Sequence, residues 1–126
     1  MSSPTHLAIF VGHSPVMAKL CQFVLSRAGE FELFETAGRG AMALLGHHRF
    51  DIALLEFTAT GLDLIAEIRA SPSNGDVPII VIMYGTTEDY QRYRPMCLAA
   101  GANAVVTAPY RARELVDAIV ALVPPR

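Results

Sequence analysis

Charge is scarce in this chain. Only 17% of its 126 residues are charged, and the ten basic and twelve acidic side chains are spread without runs. DNA or RNA binding requires a concentrated basic face, so direct nucleic-acid binding is not expected. Lysine is rarer still: Lys19 is the only one. The two cysteines, Cys21 and Cys97, sit in apolar segments that read as helical. They are expected to be buried thiols in a reducing compartment rather than a disulfide or redox pair. No apolar stretch reaches the roughly 18 residues of a membrane span. The segment from Met1 to His6 lacks the basic start and cleavage site of a signal peptide. A soluble, cytoplasmic protein is expected. A glycine-rich phosphate loop is also missing, since Gly38-Arg39-Gly40 is too short to cradle a nucleotide, and no cofactor is expected. There is no internal repeat and no linker, so residues 1–126 read as one domain. Pro124-Pro125-Arg126 reads as a natural end or as the start of a linker.

Apolar residues, by contrast, make up 52% of the chain, enough for a proper core. The stretch from Phe50 to Asp63 organises them. Ile52 to Leu55 is a run too short for a helix and too apolar for a half-exposed strand, which is how a central parallel strand reads. It ends on an acid, Glu56, followed by a loop with Thr58, Thr60 and Gly61. In an open α/β sheet the ligand crevice lies at the carboxyl ends of the strands, so any site is to be sought around Glu56.

The remaining segments alternate strand and helix. Leu7 to Val11 is a buried strand ended by Gly12, and Ser14-Pro15 caps a helix with Val16, Leu20, Phe23 and Val24 at helical spacing. Phe31 to Thr36 suits an edge strand, and Ala41 to His47 a short helix. A third helix carries Leu62, Ile65, Ala66 and Ile68, and Pro78 to Met83 is another apolar strand. Thr86-Thr87-Glu88-Asp89 caps a fourth helix, which Pro95 is expected to break, leaving its regular part from about Pro95 to Ala100. Ala104 to Thr107 is the last strand, and Arg111 to Val123 the last helix, with Leu115, Ile119, Val120 and Leu122 on its buried side. Five β-α units in this order demand a doubly wound parallel sheet with right-handed crossovers.

On these features the chain resembles the receiver domain of two-component response regulators. The residues carrying the resemblance are Gly12-His13-Ser14 after the first strand, Glu56 and Gly61-Leu62-Asp63, Val77 to Ile82, and Gly101-Ala102-Asn103 leading to Ala108-Pro109-Tyr110. The resemblance implies a flavodoxin-like (βα)5 sheet of strand order 2-1-3-4-5. It also implies a phosphoryl-accepting site of five parts, two acids for magnesium, an acceptor aspartate, a hydroxyl residue and a lysine, with an aromatic switch residue beside it.

Every part is altered here. Gly12 and His13 stand for the acid pair, Glu56 for the acceptor, Met83 followed by Tyr84 for the hydroxyl, Ala108 for the lysine and Val105 for the switch. Lys19 comes too early in the chain to replace the lysine. Phosphoryl transfer depends on cations that neutralise the phosphoryl oxygens, and without them the resemblance implies a degenerate, non-enzymatic receiver with no metal. Glu56 reads as a constitutive mimic of the phosphorylated state or, more plainly, as a carboxylate bonded to loop amides. His13 reads as a polar contact to it, and Met83 and Tyr84 as space-filling. His47-His48 point in different directions and do not suggest a metal site. Tyr90, Arg92, Tyr93, Arg94, Tyr110, Arg111 and Arg113 fall on the fourth and fifth helices, the face that receivers use for pairing, and Tyr and Arg are enriched in binding hot spots. The expected function is a non-catalytic module that binds a protein partner or a second copy. The rival expectations are an atypical phosphoryl-accepting receiver and a small-ligand binder that uses the crevice beside Gly12 and Ala108.

Overall fold

The computed structural model describes residues 5–57, 61–108 and 112–123. Five strands, β1 (His6–Val11), β2 (Phe31–Thr36), β3 (Ile52–Glu56), β4 (Ile79–Tyr84) and β5 (Ala104–Ala108), form one parallel sheet in the order β2-β1-β3-β4-β5. Between and after them run α1 (Pro15–Ala28), α2 (Gly38–His47), α3 (Gly61–Arg69), α4 (Thr87–Ala100) and α5 (Ala112–Leu122). This is the flavodoxin-like receiver topology.

The apolar runs of β1, β3 and β4 are buried on both faces, and strand alternation divides them between two cores. Ile9, Val11, Ala53, Leu55, Ile79, Val81 and Met83 pack with Ala41 and Leu45 of α2, Ile65 and Ile68 of α3 and Cys97 of α4. Ala8, Phe10, Ile52, Leu54, Ile80 and Ile82 pack with Met17, Cys21, Val24 and Leu25 of α1 and Leu115 and Ile119 of α5. β2 lies at the edge, and its side chains are half-buried or exposed. Both cysteines are buried free thiols.

Three details differ from the sequence expectation. The α1 side chains that meet the sheet are Met17, Cys21, Val24 and Leu25, whereas Val16 (76% exposed) and Phe23 (53%) point to solvent. Two apolar stripes run side by side on this helix, and periodicity alone does not tell which faces the sheet. Val120 of α5 is likewise outside, at 50% exposure. Pro95, finally, does not break α4, which runs continuously from Thr87 to Ala100 with the proline inside it, although a proline cannot donate to the helix ladder. Pro95 and Gln91, whose carbonyl loses that donor, are both exposed, which leaves that carbonyl open to solvent. A reciprocal cap at the start of α4 offsets part of the cost: Asp89 N–H donates to Thr86 Oγ1 at 3.2 Å, and Thr86 N–H donates to Asp89 Oδ2 at 3.1 Å.

Two polar side chains tie the loops at the amino ends of the strands. Asn74, 1% exposed, donates to the carbonyls of Leu45 and His48 and accepts from Phe50 N–H. Arg69, at the end of α3, donates to the carbonyls of Gly75, Val77 and Gly101 and to Asn103 Oδ1, over 2.6 to 3.1 Å. Gly101 makes this possible: it stands at φ 124°, and a Cβ there would lie 2.8 Å from Arg69 Cγ.

Candidate functional site

At the carboxyl ends of the strands, the register brings three segments together. β1 pairs with β3 through Val11 and Leu55, so Gly12 and Glu56 follow side by side, and Glu56 is opposite Ile82 of β4. Side chains at positions 52, 54 and 56 share one face of the sheet with those at 80, 82 and 84. Tyr84 therefore reaches the Glu56 side, while Met83 turns to the opposite face.

Glu56 is satisfied within the chain. His13 N–H donates to its Oε1 at 3.0 Å, and the Tyr84 hydroxyl donates to its Oε2 at 3.2 Å. The contact from His13 comes from its backbone, and the residue itself is exposed. Among the described residues no basic side chain forms an ion pair with Glu56; Lys19 lies on the exposed side of α1. Burial raises the Tyr84 phenol above the usual tyrosine range; the Ser14 hydroxyl opposes this, and the Glu56 carboxylate adds to it. The phenol is thus kept protonated and available as a donor.

Gly12 leaves no room for an acid. A Cβ built there would lie 2.7 Å from Glu56 Cβ and 2.7 Å from the ring of Phe10, itself only 2% exposed. A magnesium site of the receiver kind needs several oxygen ligands that converge beside the acceptor. Among the described residues Glu56 is the carboxylate at the strand end, both of its oxygens are engaged by the chain, and Gly12 beside it has no space for a second; Glu67 of α3 lines the same cavity. The residues do not fit that ion, and no chemical step is derived through it.

The residues read as standing at the hydroxyl and aromatic-switch positions are packed and apolar. Met83 is 1% exposed and Val105 9%, and both lie in the core shared with α2, α3 and α4. Ala108 closes β5, its backbone paired with Tyr84. Thr58, Thr60, Pro109, Tyr110 and Arg111 lie outside the described residues.

Two shallow cavities flank Gly12 and His13. One, of about 220 Å³, is lined by residues including Gly38, Glu56, Gly61 and Glu67; the other, of about 300 Å³, includes Ser14, Glu35 and Thr36. A larger groove of about 550 Å³ lies at the opposite end of the sheet, between His47-His48-Arg49 and the turn from Pro72 to Asp76. Its charged pair, Arg49 and Asp76, is exposed at 3.8 Å and contributes little.

The residues singled out on the fourth and fifth helices divide into two kinds. Tyr90 and Tyr93 are half-buried and pack on the core, and the Tyr93 ring lies 5.2 Å from that of Phe57, the residue after Glu56. Arg92, Arg94 and Arg113 are exposed; Arg92 lies over the Tyr93 ring at 5.4 Å, and Arg113 reaches Asp117 at 3.9 Å. Tyr84 is the residue the sequence reading undervalued: it does more than fill space. Strand parity with Glu56 would have revealed it, once β3 and β4 were taken as neighbours in register.

No protein-family model matches the chain. The sensory transduction protein RegX3 of Mycobacterium tuberculosis is 33% identical over 100 residues, which cover 77% of this chain and 41% of RegX3. The heme response regulator HssR of Staphylococcus haemolyticus is 26% identical over 88 residues, 70% of this chain and 38% of that protein. The chain thus spans about two fifths of the length of the curated relatives it matches. Among solved structures, the receiver domain of a sensor histidine kinase from Pseudomonas aeruginosa, crystallised with magnesium in its active-site cleft, is 25% identical with a TM-score of 0.79, covering 97% of this chain and all of the other. A response regulator from Thermotoga maritima shares the fold, with a TM-score of 0.82 at 18% identity and the same coverage. Together the sequence relationship and the strand order support a receiver domain of the two-component response-regulator type.

Proposed function

We propose that this domain is a degenerate receiver, a signalling module that does not take up a phosphoryl group and works through protein contact. The observation that carries this reading is the state of Glu56. Its two oxygens accept from His13 N–H and from Tyr84, and no described cation stands by to neutralise a phosphoryl group. Such neutralisation is the main source of catalysis in phosphoryl transfer. The crowding at Gly12 supports the same reading, because it disfavours the acid that would hold magnesium.

The contact surface proposed is the face of α4, β5 and α5. Arg92 and Arg94 present cationic, hydrogen-bonding heads there, and Arg92 is braced on Tyr93. The partner is a second copy or another protein.

Incubation with magnesium and a small-molecule phosphodonor, followed by intact-mass measurement, tests the first half. The mass is expected to stay unchanged, and a gain of one phosphoryl mass on Glu56 or His13 would overturn it. Sedimentation of the wild type and of Arg92→Glu/Arg94→Glu, alone and with candidate partners, tests the second. Association that is insensitive to this double substitution would move the contact elsewhere.

A further inference from the structure

Tyr84 joins the degenerate pocket to the proposed contact face, and we infer that it is the residue that sets the position of α4. Its hydroxyl holds Glu56 at 3.2 Å, and it is the last residue of β4. The chain then turns at Gly85, whose φ of 132° suits glycine and whose Cα faces the Asp89 side chain closely: a Cβ there would lie 2.5 Å from Asp89 Oδ2. Asp89 in turn closes the reciprocal cap with Thr86 that starts α4. From Tyr84 to the first turn of α4 there is therefore no slack residue.

A second connection runs from the other side of the same hydrogen bond. Phe57 follows Glu56, its N–H donates to Ile82 O at 2.8 Å, and its ring packs against Tyr93, on which Arg92 rests. The Glu56–Tyr84 bond thus closes a ring of contacts: β3 end, Phe57, Tyr93, α4, its cap, Gly85, Tyr84 and back to Glu56. Breaking the bond opens the ring at its one side chain–side chain hydrogen bond. The turn from Gly85 to Thr86 then loses its anchor, and α4 keeps only its packing on the core. In this chain an internal phenol occupies the acceptor carboxylate and holds α4 in one position without any modification. Tyr84 is a positioning residue: its 46% exposure and its place at a strand end make it a small part of the core.

The inference rests on the degenerate-receiver reading, but its test does not depend on phosphorylation. Backbone amide exchange and amide chemical shifts would be measured for the wild type, Tyr84→Phe and Glu56→Gln. Tyr84→Phe keeps the ring and removes only the donor. It is expected to speed exchange about three- to tenfold at the amides that open α4, from Tyr90 to Tyr93, and to shift the resonances of Phe57 and of residues 85–93, leaving α1 and α5 unchanged. Glu56→Gln keeps one oxygen for His13 N–H and turns its amide NH2 toward Tyr84, where the phenol oxygen can accept, and is expected to retain most of the wild-type pattern in α4. A purely structural role would instead spread the change evenly with global stability. The inference is overturned if Tyr84→Phe leaves α4 exchange within twofold of wild type, or if the acceleration is uniform over the whole chain. If α4 responds while the protein also gains a phosphoryl mass, the positioning role stands and the degenerate reading fails. If α4 is silent and no phosphoryl is gained, the reverse holds.

Discussion

Placing an acid beside Glu56 by Gly12→Asp is expected to destabilise this domain. The new Cβ would stand 2.7 Å from both Glu56 Cβ and the Phe10 ring, far inside van der Waals contact. Glu56 Cβ is fixed by the β3 backbone, and Phe10 is 2% exposed in the core with α1, so neither yields freely. Overpacking of this kind costs about 1–3 kcal/mol. The carboxylate adds repulsion from Glu56, of order 1 kcal/mol in water and about 4 kcal/mol at an effective dielectric of 20 for charges about 4 Å apart. Solvent at this half-open site brings the charge contribution toward the lower figure, so the sum is about 2–4 kcal/mol. Gly12→Ala isolates the steric part and should lose about 1–3 kcal/mol. Urea unfolding followed by circular dichroism measures both variants, and the gap between them should narrow in about 1 M salt, where the screening length falls to about 3 Å. Added magnesium should stabilise neither, because a ligand that binds the native state raises stability only if a site exists. The reasoning is refuted if Gly12→Asp is as stable as the wild type, or if magnesium raises its midpoint specifically.

Other expectations follow from the same contacts. Arg69→Met strips three carbonyls and Asn103 of their donor and should cost about 2–4 kcal/mol in urea unfolding. Arg69→Lys should recover less than half, since one ammonium cannot span the fork; full recovery by lysine would refute the geometric account. Pro95→Ala should stabilise by about 1–3 kcal/mol, because the exposed helix regains a hydrogen bond and loses a ring clash; a lower melting temperature would show that Pro95 has a packing role. Burial, with smaller contributions from Glu56 and Glu35, pushes the Cys21 thiol up from 9.0 to about 12. Because the folded value is the higher one, this contribution to stability is full below pH 9.0 and is lost as pH rises toward about 12. Iodoacetamide at pH about 8 should therefore leave Cys21 unmodified in the native protein and alkylate it once unfolded. Rapid native labelling would contradict its burial.

Much of this molecule was legible without coordinates. The apolar runs from Ile52 to Leu55 and from Ile79 to Met83 have no polar alternation, so they could only be interior parallel strands. Alternation with helical segments then demanded a doubly wound sheet. Three matters stayed hidden because each depends on a direction in space. Which apolar stripe of α1 meets the sheet was set by how the helix lies on it, and both stripes have helical spacing. Whether Pro95 breaks α4 depended on which way its side points, and it points to water. The hydrogen bond from Tyr84 to Glu56 joins residues 28 positions apart and exists only because β3 and β4 are paired with Glu56 opposite Ile82. Local sequence determines which segments are strands and which residues line the strand ends. Register and helix orientation are products of packing the whole chain, and they decided that the Glu56 carboxylate is held by a phenol from the next strand.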